Sequence, residues 1–312
     1  MFADDTACAD ADSCLNDLIS RTNAELKKIA TWFRANRMAV NISKTKFIIF
    51  HNKGKLVQMN EKQVVFDDNE PNLANPLLIT PLERYHDNHV QPECRAYKLL
   101  GIHLDEHLSF NFHTNFLCNK LTRSLFCIRR AKNLLSLPAL RALYFAFIHS
   151  HLNYCAIVLS SNSQQNFNRI KLIQKKAIRI VTNSAYTAHT LPLFAQLQIL
   201  PYEQIIRQAK LLFMHSVEHR YAPISFGNIW IKNAVNQGER PLRNADELML
   251  PYPRTELFKK SPLYTLPLEW NNMDYNKYNQ VRPTFKTAVK FKLLNEILDT
   301  MGLGGMGALP PE

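Results

Sequence analysis

The residues with the clearest chemical potential stand at the start of the chain, in Phe2-Ala-Asp-Asp-Thr6. Adjacent carboxylates offer the hard oxygen donors that magnesium prefers, and they are charged at neutral pH. Adjacent aspartates also open helices and line solvated loops, so Asp4 and Asp5 take their meaning from the motifs downstream of them. A second feature is the span between Glu106 and Glu203, 96 residues without an Asp or Glu. It holds eleven cations: Lys120, Arg123, Arg129, Arg130, Lys132, Arg141, Arg169, Lys171, Lys175, Lys176 and Arg179. The chain's net charge is +12 over 312 residues, so nearly all of the excess is concentrated in less than a third of it. A basic excess this localised fits contact with phosphates better than a general aid to solubility.

Other reactive residue types are less organised. The six cysteines form no CxxC pair, and no secretory segment argues for disulfides. The histidines, among them His86, His89, His103, His107, His113, His149 and His151, are scattered. No acidic or cysteine ligand stands at a helpful spacing from them, so the expectation is core or surface histidine rather than a metal site. The most apolar run, Leu143 to Leu159, is interrupted by His149, His151 and Asn153, which marks a buried helix rather than a membrane span. With no signal or transit peptide at the acidic N-terminus, the expected location is intracellular, nuclear or cytoplasmic, and not secreted.

The elements that must position these residues emerge from periodicity. Leu15, Leu18, Ile19, Leu26, Ile29 and Phe33 fall on one helical face. Lys46-Phe-Ile-Ile-Phe-His51 reads as a short strand. Residues 52–95 carry four prolines and brief strand-like pieces at Val64–Phe66 and Leu77–Thr80, the pattern of a long connection or insertion. Tyr97 to Leu104 reads as a strand with a bend at Gly101. From residue 112 the period becomes helical. Leu117, Leu121, Leu125 and Ile128 line a first helix, and Ser136 with Pro138 opens a second carrying Leu140, Leu143, Tyr144, Phe147, His151 and Tyr154 inward. Phe167, Ile170, Ile173, Ala177 and Ile180 line a third, with Lys171, Lys175 and Arg179 opposite them at four-residue spacing. Pro201 opens a fourth, with Ile205, Ala209, Leu212 and Phe213. A last helix is expected from Thr284 to Leu298, and the glycine-rich last ten residues are expected to be disordered. Trp32 and Trp270 read as core aromatics. The expected class is α+β.

An aromatic-Ala-Asp-Asp box, a helix, Asn41-Ile-Ser-Lys-Thr-Lys-Phe-Ile-Ile-Phe50 and Tyr97-Lys-Leu-Leu-Gly101 occur here in the order of a reverse transcriptase palm. Leu152-Asn-Tyr-Cys155 and Ile173-Gln-Lys-Lys-Ala-Ile-Arg-Ile180 resemble the helical thumb of jockey-like elements. Arg254-Thr-Glu-Leu-Phe258 and Leu266-Pro-Leu-Glu-Trp270 look like the tail beyond that thumb. The chain thus resembles the C-terminal part, end of palm plus thumb, of a non-LTR (LINE-type) retrotransposon reverse transcriptase. The resemblance implies a palm remnant over 1–110, a helical thumb over 111–220 and a tail over 221–312. It implies an RNA-directed DNA polymerase with RNA template and DNA primer as partners and Mg2+ as cofactor. Two cations about 4 Å apart would activate the primer 3′ oxygen and hold the triphosphate. Asp4 would be a metal ligand, and Asp5 a ligand or its electrostatic support. Lys44 would act near the pyrophosphate as general acid or charge clamp, and Tyr97 and Gly101 would belong to a primer-gripping hairpin. The phosphate-contacting cations would be Lys171, Lys175 and Arg179, with Arg129 and Arg130. The alternative is a non-catalytic, basic helical nucleic-acid-binding module.

The sequence departs from the family in two places. The 52–95 connection is longer than usual. The family's third carboxylate, its nucleotide pocket and its fingers lie upstream of what matches Met1, which leaves open complementation by an upstream palm and fingers chain. The 312-residue chain alone should therefore give no template-directed nucleotide incorporation with Mg2+ or Mn2+. Primer extension measures this, and a signal abolished by Asp4→Ala would overturn it.

Overall fold

The computed structural model describes residues 6–42, 44–54, 63–66, 77–79, 84–85, 94–233, 247–273 and 281–302. Helices dominate, and the described strands are confined to residues 65–105, an α+β arrangement. Contacts divide the chain into residues 1–112 and residues 113–312. No helix among the described residues is long and apolar enough to cross a membrane.

In the first unit, helix α1 (Leu15–Ala35) presents Ile19 and Ala30 to a small core shared with Val64, Phe66 and Ile79. Leu15, Leu26, Phe33, Val40, Ile42 and Phe47 pack around it. Strands β1 (Val65–Phe66) and β2 (Leu77–Leu78) pair antiparallel. The Asn23 side chain clamps α1 to β1 through two bonds: its amide donates to the Gln63 carbonyl at 3.0 Å, and its oxygen accepts from the Val65 N–H at 3.0 Å. Part of the 52–95 segment is therefore core, which corrects its reading as a mere connection. Strand β3 (Arg84–Tyr85) pairs with β4 (Cys94–Leu99), and β4 with β5 (Ile102–Asp105), all antiparallel. Leu100 and Gly101 join β4 to β5 with φ of 46° and 87°, the two positive values that a type I′ hairpin turn requires. The predicted strand at 46–51 is instead irregular chain with a single bridge at Phe47.

The second unit is a helical assembly built around one central helix. Its elements are α2 (Asn111–Ala131, which starts at the end of the first unit), α3 (Leu137–Tyr144), α4 (Ser150–Asn153), α5 (Ala156–Leu159), α6 (Gln164–Val181), α7 (Thr190–Gln196), α8 (Tyr202–Glu218), α9 (Glu256–Lys260), α10 (Pro262–Asn271) and α11 (Arg282–Thr300). Helix α8 is packed by α4, α5, α6, α10 and α11. It accordingly buries residues nearly all round, from Tyr202, Ile205 and Ile206 to Leu211, Met214 and His215. Arg207 of α8 bonds Glu269 of α10 at 3.1 Å and Glu296 of α11 at 2.6 Å. Helices α10 and α11, from the region read as tail, thus pack on α8, and two of their acids neutralise one of its cations. The C-terminal residues expected to be disordered lie outside the described ones from 303 onward.

Two predicted faces are corrected. Between α3 and α4 the helix continues through a π-helical turn, Phe145–His149. Leu140, Tyr144, Ile148 and Leu152 are buried at an unbroken four-residue spacing. In a regular helix that spacing drifts around the axis, and the wider π turn absorbs the drift. Phe147 and Tyr154, expected inside, are half exposed, at 46% and 50%. Trp32 is likewise 47% exposed, whereas Trp270 is buried as expected. On α6 the buried residues are Asn166, Ile170, Gln174, Ala177, Ile178 and Val181. Two amides therefore stand where an apolar stripe was expected.

Two measurements check this packing. Ile148→Ala should cost roughly 2–5 kcal/mol in denaturant unfolding, as truncation of a fully buried Ile does. Phe147→Ala should cost clearly less, and the reverse order would restore the face read from the sequence. The second measurement concerns His149, whose Nδ1 is buried without a partner among the described residues. Burial, reinforced by Lys290 and Lys286, pushes its imidazole down to about 4. Between the ordinary histidine value and 4, the unfolded chain binds a proton that the folded chain does not. Stability should therefore fall as pH falls through that window, by up to roughly 3 kcal/mol. Denaturant midpoints from about pH 7 to about pH 4.5 should drop less steeply in His149→Gln than in the parent, and parallel curves would refute the assignment.

Candidate nucleic-acid interface

Cations of the acid-free span converge where α2 and α6 end. Helix α6 finishes in a Schellman motif, with the Ser184 N–H donating to the Arg179 carbonyl and the Asn183 N–H to Ile180. Asn183 takes the left-handed conformation this needs, at φ 51°. The Lys132 ammonium, just beyond α2, reaches the Asn183 side-chain oxygen at 3.0 Å. Arg179 donates to the Ala188 carbonyl at 2.9 Å and lies 6.0 Å over the ring of Tyr186. The result is an open concavity of about 380 Å³ lined by Arg129, Lys132, Lys176, Arg179, Ile180, Ser184 and Tyr186. Four cations, a hydroxyl and a phenol thus surround one hollow, and none of its lining residues is acidic.

Outside the hollow, Lys120, Arg123 and Arg130 of α2 are exposed as well, within about 15 Å of helix at 1.5 Å per residue. Arg123 and Arg130 share a helical face, whereas Lys120 stands on the side of the helix opposite Arg129. Arg130 stacks over Phe126 at 5.3 Å. Helix dipoles account for part of the pattern, since cations are favoured at helix C-termini. That effect is confined to the last turn. It does not explain Lys120 or Arg123.

The expected stripe of Lys171, Lys175 and Arg179 is divided by the fold. Lys171 is bound to Glu203 of α8 at 2.5 Å, so it does have an acidic partner, supplied from just beyond the acid-free span. Lys175 is partly buried, and only Arg179 of the three lines the hollow. Arg129 joins it there, and Arg130 lies on the adjoining exposed surface. Lys132, Lys176 and Tyr186 were not singled out from the sequence. Tyr186 is 76% exposed, an aromatic placed beside cations by the turn after α6, which no periodicity announces.

The remaining expected site residues belong to the chain segment of the first unit. Asp4 and Asp5 lie outside the described residues, and with them the expected Mg2+ ligands. Lys44 is exposed in a turn closed by Asn41, whose carbonyl accepts from the Lys44 N–H at 3.2 Å. Tyr97 is 39% exposed on β4, opposite Leu104, and Gly101 sits at the tip of the hairpin. One cluster of chemically active side chains went unread in the sequence: His51, Glu106 and His107 come together in this unit. Comparison with protein-family models, curated proteins and solved structures finds no match to the chain.

Proposed function

We propose that the chain is the C-terminal part of an RNA-directed DNA polymerase of a non-LTR retrotransposon, and that its helical unit holds the backbone of an RNA template and DNA primer. The observation that carries this reading is the hollow lined by Arg129, Lys132, Lys176 and Arg179, with Arg123 and Arg130 exposed on the same α2. Four cations around one hollow without an acidic lining residue suit a repeating polyanion. Tyr186 adds an exposed ring on which an unpaired base can stack, in the manner of single-strand binders. The motif order from Phe2 to Gly101 supports the polymerase assignment, with Asp4 and Asp5 as the metal-binding pair. A non-catalytic binding module would use the same helical surface. The two readings part only at the aspartates, and primer extension with the family's upstream region supplied in trans separates them.

Binding to a labelled RNA–DNA primer–template, measured by fluorescence anisotropy across a salt series, tests the interface. Each neutralised phosphate contributes about 0.7–0.9 to the slope of log affinity against log salt. Replacing Arg129, Lys132, Lys176 and Arg179 together by glutamine should flatten that slope by roughly 3 to 4 while leaving sequence preference unchanged. Lys171→Gln should leave the slope as it is, because that ammonium is engaged with Glu203. A quadruple variant that binds with the parent's affinity and salt dependence would reduce the hollow to helix-end electrostatics.

A further inference from the structure

The first unit contains a side-chain cluster that the nucleic-acid reading does not use. His51 lies on the irregular segment after the Asn41 turn, while Glu106 and His107 come directly after β5. Backbone bonds hold the two segments together, with the His51 N–H donating to the Glu106 carbonyl at 3.0 Å. The ligand atoms of the three side chains all lie within 4.8 Å of one another. Glu106 is 6% exposed, whereas the His51 and His107 side chains keep 17% and 22% of their surface. The carboxylate is thus buried behind two imidazoles that reach solvent.

Hydrogen bonding decides which nitrogens are available. The His51 Nδ1 lies 3.0 Å from the Asn52 carbonyl, and the His107 Nδ1 lies 3.0 Å from the His51 carbonyl. A carbonyl can only accept, so each Nδ1 carries a proton. In each neutral ring Nε2 then presents its lone pair, and both Nε2 atoms are directed at Glu106, at 3.8 and 3.9 Å. These separations are too long for hydrogen bonds. Two lone pairs and a carboxylate facing one another repel unless a metal cation or a proton on Nε2 stands between them. Imidazoles fixed through Nδ1 to carbonyl oxygens, with Nε2 free, form the outer shell typical of histidines that bind metal.

The surroundings are rigid. Asp105, 2% exposed, accepts from the backbone N–H groups of His107, Ser109 and Phe110 at 3.2, 2.9 and 2.8 Å and from the Ser109 hydroxyl at 3.1 Å. Leu108 and Phe110 take positive φ values of 50° and 56° within that turn, a strained backbone held by one buried carboxylate. The turn therefore presents Glu106 and His107 in a set direction.

We propose that His51 Nε2, His107 Nε2 and a Glu106 oxygen form a three-ligand site for a first-row divalent cation of the zinc class, with a further position open to solvent. Two imidazoles and one carboxylate suit zinc and its neighbours, whereas magnesium favours oxygen donors throughout. With bonds of about 2.0–2.1 Å, ligand atoms around a tetrahedral ion stand about 3.4 Å apart. No edge of the cluster exceeds 4.8 Å, so each needs to close by at most about 1.4 Å, within the reach of side-chain rotations. It shares no residue with the proposed interface or with the Asp4–Asp5 pair.

The test uses the full chain, stripped by chelator and titrated with Zn2+ by calorimetry, with Co2+ as a spectroscopic stand-in. One equivalent should bind and raise the melting temperature. His107→Gln and His51→Gln should each weaken binding by at least about a hundredfold, the upper end of what loss of a mere outer-shell partner costs, and abolish the thermal shift. Cys8→Ser with Cys14→Ser should change nothing, since those exposed thiols are the obvious competing ligands. The Co2+ adduct should show visible bands of a nitrogen–oxygen ligand set without a thiolate charge-transfer band. Should a histidine variant misfold, that spectrum of the parent chain still identifies the ligand type. Failure to bind one equivalent, binding unaltered in both histidine variants, or a thiolate band would each overturn the site.

Discussion

The side-chain amide of Gln174 is the contact on which the helical unit turns. It is fully buried on α6, and its nitrogen donates to the Tyr144 hydroxyl at 2.9 Å and to the Leu200 carbonyl at 3.0 Å. Its oxygen accepts from the Tyr202 N–H at 2.7 Å, one of the orphan donors at the start of α8. One amide thus joins the helix that carries the cations to α3 and to the first turn of the central helix. A buried polar network is favourable only when its members are satisfied, and here both the nitrogen and the oxygen of the Gln174 amide are engaged. Tyr144 shows the consequence. Burial pushes its hydroxyl far above the ordinary tyrosine range, so it stays a neutral partner at any working pH.

A second buried network anchors the other end of α6. Asn162 donates to Thr114 of α2 at 2.8 Å and accepts from the Asn166 amide at 2.8 Å. The N-terminal half of α6 is thereby fastened to α2, and the cationic ends of both helices are brought to the same hollow. Gathering Arg129, Lys132, Lys176 and Arg179 there costs like-charge repulsion. The Schellman carbonyls, the Asn183 oxygen and the Tyr186 ring offset part of it. In the proposed interface, a phosphate backbone would offset the rest.

The first unit is held together differently. Its core is small, and much of its definition comes from polar clamps: Asn23 between α1 and β1, and Asp105 within the turn after β5. The Asp105 turn sets Glu106 and His107 next to each other, and the irregular chain after Asn41 brings in His51. A cluster with ligand character arises from a residue pair and a partner 55 positions earlier.

The features legible in the residues alone are local ones. The α1 stripe, the helical period beyond residue 112, the glycine-bearing hairpin after Tyr97 and the acid-free basic span all arise from interactions between near neighbours. Periodicity reports which residues share a face, and turn chemistry reports where a segment stops. Partners distant along the chain are settled only by packing. Gln174 and Asn166 look like surface residues until Tyr144, Leu200 and Asn162 satisfy them. Lys171 looks unpaired until α8 delivers Glu203. Phe147 looks buried until a π turn shifts the phase of its helix. The same holds for His107, which gains chemical meaning only when chain segments at 51 and 106 meet. In each case the free energy depends on a neighbour that no local pattern specifies, because burial and pairing are properties of the packed chain.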